Sequence, residues 1–102
     1  MLKYEHNSRI HLVAAILVII TAILLKVSLS EWVLLTVVMG IVFLTELLNS
    51  AIEKLSDLIE PRYNETIRTS KDYSAAAVLI SALIALVAGC FIFIPRILFA
   101  IF

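Results

Sequence analysis

Three carboxylates and a carboxamide stand at helical intervals in the segment Glu46-Leu47-Leu48-Asn49-Ser50-Ala51-Ile52-Glu53, with Asp57 one turn further on. At 3.6 residues per turn, Glu46, Asn49, Glu53 and Asp57 fall close to one line down a helix. Such a line is a poor lipid-facing surface but a suitable lining for a site that handles a cation or a proton. The plainer reading is hydrogen-bonding glue between helices, for which Asn49 alone would serve. Two added carboxylates repel each other and cost desolvation unless a cation joins them, and Lys71, Arg9 or a metal ion could do so. Oxygen-only donors favour Mg²⁺, with Mn²⁺ second, and no Cys/His constellation suggests zinc. Mg²⁺ takes one or two protein carboxylates and completes its shell with water and phosphate oxygens. Carboxylates, a lysine and a polar loop at a membrane surface therefore suggest phosphoryl transfer from a nucleotide to a membrane-embedded acceptor. That chemistry is mostly positioning and charge neutralisation, plus a base for the acceptor proton. With glycine only at Gly40 and Gly89, neither G-x-x-x-x-G-K-[ST] nor G-x-G-x-x-G can occur. Residue chemistry alone leaves a kinase, a proton-coupled transporter and a small channel as options.

The elements that must position these groups follow from composition. Of 102 residues, 63% are hydrophobic, which is more apolar surface than a soluble domain of this size can hide. The apolar residues come in blocks, so the chain reads as an integral membrane protein of the all-α class. Eight basic and eight acidic side chains cancel, and no net field points to nucleic acid. The one cysteine, Cys90, lies in an apolar block and reads as a small hydrophobe.

Three spans are expected, at about residues 10–29, 32–52 and 74–94. The first follows a polar start and runs on past Lys26 to Leu29. Ser30 is the expected N-cap of the second, with Glu31 complementing the helix dipole and Trp32 at the interface. The second helix meets no breaker before Pro61, so it extends to residue 60 as a cytoplasmic overhang. Glu53 and Asp57 then sit at or outside the membrane surface, with Glu46 roughly 10 Å deeper along the axis. A third helix is expected to start between Thr66 and Ser70, with Pro95-Arg96 ending its span. Lys3, Arg9, Lys54, Arg62, Arg68 and Lys71 gather on one side, against Lys26 and Arg96 on the other. That bias places the N-terminus and the 54–72 segment in the cytoplasm and the C-terminus outside.

The pattern Glu46-x-x-Asn49-Ser50-Ala51-Ile52-Glu53-x-x-x-Asp57, followed by Lys71-Asp72 and Ala75-Ala76-Ala77-Val78, closely resembles the signature of the bacterial diacylglycerol kinase/undecaprenol kinase family. The similarity runs from about Glu5 to the end of the third span. It implies a homotrimer in the cell (inner) membrane whose active sites are shared between subunits. Each site would use ATP with Mg²⁺ to phosphorylate a lipid alcohol at the cytoplasmic face. By the same resemblance Glu53 and Glu5 are the metal-binding glutamates, and both reach the nucleotide. Glu46 matches the general base, at the lipid hydroxyl, and Asn49 orients the base or the phosphate. Asp57, Lys71 and Asp72 match nucleotide-site positions, as does the loop Arg62-Tyr63-Asn64, where Tyr63 best fits the family's usual residues. Asn7, Ser8, Arg9, Ile10 and His11 correspond to the lipid-binding lining, with Trp32 and Ala75 near the lipid path.

The family's usual N-terminal amphipathic surface helix, of about twenty further residues, is expected to be missing here. Ala75, the Glu5-His6-Asn7 to His11 pattern and Glu31-Trp32 look more like the undecaprenol kinase branch than the diacylglycerol kinase branch. Undecaprenol is therefore the expected acceptor, with diacylglycerol the alternative. An oligomeric proton- or cation-conducting bundle and an inactive scaffold are the alternatives of another class.

Overall fold

The computed structural model describes residues 2–59 and 65–102, with side chains from residue 9 onward. Three α-helices account for nearly all of it: α1 Leu2–Leu25, α2 Leu29–Ile59 and α3 Glu65–Ile101. Among the described residues there is no strand. Helices α2 and α3 are each long and apolar enough to cross a membrane, while the apolar part of α1, Arg9–Leu25, is shorter. The molecule is 57 Å long, which is the length of α3, whose 37 residues at 1.5 Å each give about 55 Å. This exceeds the ~30 Å hydrocarbon layer. α2 and α3 form an antiparallel hairpin packed along its length, and α1 leans more lightly on both.

The turn between α1 and α2 differs from the sequence expectation. α1 stops at Leu25 rather than running on to Leu29. Lys26 takes a left-handed conformation with φ of 53°, and its N–H donates to the Ile23 carbonyl at 3.2 Å. The Val27 N–H donates to the Ala22 carbonyl at 3.3 Å. These two bonds make a Schellman motif, usually built on glycine, and the paired residues Ala22 and Val27 are both buried. The N-cap of α2 is Ser28 instead of Ser30. Ser28 Oγ accepts from the Glu31 N–H at 3.3 Å, and Glu31 Oε1 accepts from the Ser28 N–H at 2.8 Å. The spacing Ser28-x-x-Glu31 is a capping box, which satisfies two helix-end donors reciprocally and outcompetes a cap at Ser30.

At the far end, α3 does not break at Pro95. The helix continues to Ile101, one carbonyl losing the partner that proline cannot supply. Arg96, one residue on, ties this turn to the rest of the bundle. Its Nε donates to Glu31 Oε1 at 2.9 Å, its Nη2 donates to the same oxygen, and its Nη1 reaches the Leu25 and Lys26 carbonyls at 3.5 and 3.4 Å. One guanidinium thereby serves the exposed carbonyls ending α1 and the carboxylate starting α2. Beneath this clamp lies the apolar core, Ala22, Val27, Leu35 and Ile92, with Val18, Leu25, Trp32, Met39 and Phe93 packed around it. At its other end α3 begins at Glu65, one residue ahead of the expected window.

The hydrogen bonds from Arg96, then that from the Ser28 N–H, hold the Glu31 carboxyl at about 2 against an ordinary 4.5. Because the folded value is the lower one, the contribution is complete above about pH 4.5 and is lost as pH falls toward 2. The thermal midpoint in detergent should therefore fall more steeply across that window in the wild type than in Glu31→Gln. Parallel slopes would show that the clamp adds nothing to stability.

Candidate functional site

The core at the turn end is apolar, whereas the buried polar groups lie mostly along the other half of the hairpin. Glu46, Ser56, Ser74 and Ser81 are all buried there. Along α2, burial falls from Glu46, 8% exposed, through half-buried Asn49 and Glu53 to exposed Asp57. The line drawn from sequence thus exists as a graded track. Its members face two different helices.

Toward the hairpin opening, Asp57 Oδ1 accepts from Lys71 Nζ at 2.7 Å. Lys71 has its pKa raised, chiefly by this hydrogen bond, and the charges of Asp57 and then Glu53 add to the effect against partial desolvation. Lys71 is therefore a fixed positive charge at the surface end of the track. A turn and more below, Ser74 Oγ donates to Asn49 Oδ1 at 2.7 Å and also lies 3.0 Å from the Lys71 carbonyl. Anchoring Asn49 through its oxygen leaves the amide N–H groups to donate to a phosphate or a carboxylate. Deepest of the three contacts, Glu46 faces α1, with its Oε2 at 2.9 Å from His11 Nδ1. Oε2 is buried with no hydrogen-bond partner among the described residues, so the His11 ring stands as a close approach and not as a formed hydrogen bond.

His11 also borders an apolar cavity of 490 Å³ between the three helices. Ala14, Ala15, Ala82, Ala85 and Gly89 leave the room, and Val42, Phe43 and Phe93 are among the larger walls. Small residues from two helices facing one another create space that an all-leucine seam would fill. Cys90 also lines this cavity, in keeping with its reading as a small hydrophobe.

Of the residues singled out by sequence, Glu46, Asn49, Glu53, Asp57 and Lys71 are thus drawn along one face, with His11 and Ile10 at the cavity mouth. Arg9, Asp72 and Ala75 are exposed. Trp32 is not near Glu46: it packs on the apolar core, about 21 Å away along α2. The Arg62-Tyr63-Asn64 loop and the side chains of Glu5, Asn7 and Ser8 lie outside the described residues. Among the described residues no group of three acidic, histidine or cysteine side chains could hold a metal ion by itself. Glu53 is half-buried on the track, and its oxygen-only chemistry fits an ion that takes few protein ligands.

Comparison with known proteins settles the family. The model of the prokaryotic diacylglycerol kinases matches residues 1–93. The chain belongs to the prokaryotic diacylglycerol kinase family. Membership makes it a lipid kinase by class. It is 37% identical over 94 residues to the undecaprenol kinase of Bacillus subtilis, covering 92% of this chain and 76% of that protein. A diacylglycerol kinase of Synechocystis is 34% identical over 95 residues, or 92% of this chain and 54% of the relative. The Escherichia coli K12 diacylglycerol kinase is 38% identical over 78 residues, or 76% of this chain and 64% of the relative. The chain thus spans less than two thirds of the two diacylglycerol kinases. No solved structure matches it significantly.

Two contacts in this family member escaped the sequence reading. Ser74 was not singled out in the sequence, and His11 was placed only in the lipid-binding lining. The signal for the second was in the hairpin geometry. Counted outward from the turn at 26–28, positions 11 and 46 stand at similar heights on adjacent antiparallel helices. Ser74 has a thermodynamic test. A double-mutant cycle of Ser74→Ala and Asn49→Ala, read by denaturant unfolding in mixed micelles, should give a coupling of about 0.6 kcal/mol. Strict additivity would remove the contact from the account.

Proposed function

We propose that this protein transfers the γ-phosphoryl group of ATP, with Mg²⁺, to a membrane lipid alcohol at the cytoplasmic face, most readily undecaprenol. The observation that carries the reading is the buried Glu46 carboxylate. It lies beside the mouth of an apolar cavity and on the same helix face as the Asp57–Lys71 pair. An apolar chain would occupy the cavity, and its hydroxyl would meet Glu46. The nucleotide would lie toward Asp57, Lys71 and Asp72 with the Arg62-Tyr63-Asn64 loop, and Asn7, Ser8, Arg9 and Ile10 would border the lipid entrance.

In this scheme Glu46 accepts the hydroxyl proton as the alcohol oxygen bonds to the γ-phosphorus. The bond from that phosphorus to the bridging oxygen breaks, and its electron pair leaves on ADP. Lys71 offsets the phosphate charge, and the Asn49 amide, held by Ser74, orients the base or a phosphate oxygen. Charge neutralisation between phosphate oxygens is the chemistry that Mg²⁺ supplies when bound, with Glu53 and Glu5 the residues that would hold it. Three spans, an N-terminus in the cytoplasm, a C-terminus outside and a homotrimer with shared sites complete the proposal.

The choice of undecaprenol rests on 37% identity across 92% of this chain to a protein of that name, together with Ala75 and Glu31-Trp32. Diacylglycerol is the alternative acceptor. Purified protein in lipid, given Mg²⁺ and ATP, should phosphorylate undecaprenol faster than diacylglycerol; labelling of neither lipid would end the kinase proposal. Glu53→Gln should reduce turnover on the order of 100-fold or more while helicity and assembly are retained. Full activity in that variant would remove the metal role given to Glu53.

A further inference from the structure

The His11 ring makes contacts on several sides. Its Nδ1 lies 2.9 Å from Glu46 Oε2, its edge meets the Phe43 ring at 6.4 Å between centroids with an interplanar angle of 68°, and it borders the apolar cavity. Phe43 lies one turn from Glu46 on α2, so the ring is steadied by the same helix that carries the carboxylate. A carboxylate can only accept, and an unprotonated Nδ1 would set two lone pairs against each other at this distance. A hydrogen bond at this contact therefore requires Nδ1 to be the donor.

We propose that His11 is a positioning residue for the Glu46 base. Its Nδ1–H holds Oε2 and fixes the carboxylate rotamer, leaving Oε1 to take the proton of an acceptor hydroxyl arriving from the cavity. The idea rests on Glu46 being the base and deepens that reading; it changes His11 from a lipid contact into a part of the proton-accepting apparatus. The balance of the step is simple. The hydroxyl proton passes to Glu46, the oxygen–phosphorus bond forms, the bond to ADP breaks, and His11 keeps its own proton throughout. Without the Nδ1–H the carboxylate would have one oxygen buried and unpartnered, free to turn toward any other donor.

The two amide side chains separate this role from mere space-filling. An asparagine amide places its N–H near the position of Nδ1, whereas a glutamine amide reaches toward that of Nε2. His11→Phe and His11→Gln should lower kcat for lipid phosphorylation on the order of 10- to 100-fold with the KM for lipid little changed. His11→Asn should recover most of the rate. An active wild type with a full-rate His11→Phe variant, a defect confined to lipid KM, or rescue by glutamine instead of asparagine would each overturn the proposal.

A second measurement does not depend on turnover. The chain has two histidines, so ¹⁵N-histidine labelling with a His6→Ala variant assigns the His11 signals unambiguously. The wild type in micelles should show a protonated Nδ1, and Glu46→Leu should lose that preference. A wild-type ring protonated only at Nε2 overturns the pairing directly. A wild type that phosphorylates neither lipid, with Nδ1 protonated as stated, overturns the kinase reading and the catalytic role of His11 together while leaving the contact intact.

Discussion

A carboxylate enclosed by aliphatic helices is costly unless something donates to it, and the group that comes up to Glu46 here is His11, with Nδ1 at 2.9 Å from Oε2. The contact also gives α1 a polar approach to α2, because residues 12–20 of α1 are all aliphatic and the helix leans lightly on the hairpin. Apolar side chains slide past one another at little cost in lipid, since the acyl chains are as apolar as they are. A polar pair at fixed depth limits that freedom. The pair stands at the end of the cavity that α1 helps to wall.

The two ends of the hairpin complement this anchor. At the turn end, Arg96 gathers the carbonyls of Leu25 and Lys26 and the Glu31 carboxylate, so three helix termini share one charged group. At the open end, Lys71 and Asp57 tie α2 to α3 in a wetter setting, where an ion pair contributes little stability but keeps a positive charge over the track. Between them Ser74 and Asn49 hold the middle. The contacts grade from structural at the turn to chemical at the opening. A membrane-embedded enzyme with an aqueous co-substrate requires that order, because phosphate charge cannot be brought into the acyl layer.

Phosphoryl transfer of this kind asks the protein for placement more than for covalent chemistry. A base must stand where the lipid hydroxyl arrives, and cationic groups must stand where the nucleotide arrives. α2, longer than the hydrocarbon layer, spaces its polar groups at different depths, and at the surface end Asp57 holds the cation Lys71 that α3 supplies. α2 has 31 residues, about 46 Å, and its polar positions run from the buried Glu46 to the exposed Asp57.

The helical class, the overhang of α2, the polar line on it and the family signature were legible in the chain, because each depends on composition or on the 3.6-residue period within one helix. The ends of the helices were less legible. Lys26 in a left-handed conformation, Ser28 as cap and the continuation through Pro95 depend on which donors and acceptors reach those turns, and Arg96 comes from far along the chain. Least legible were the partners. Charge alone offered Glu46 either Lys71 or Arg9, yet α3 carries Lys71 to Asp57 and α1 brings His11 to Glu46. A period fixes which residues share a face, but not which neighbouring helix that face meets, nor at what height and rotation. The tertiary packing decides those quantities, and it makes the carboxylate line into a graded track with the buried Glu46 beside His11 and an apolar cavity.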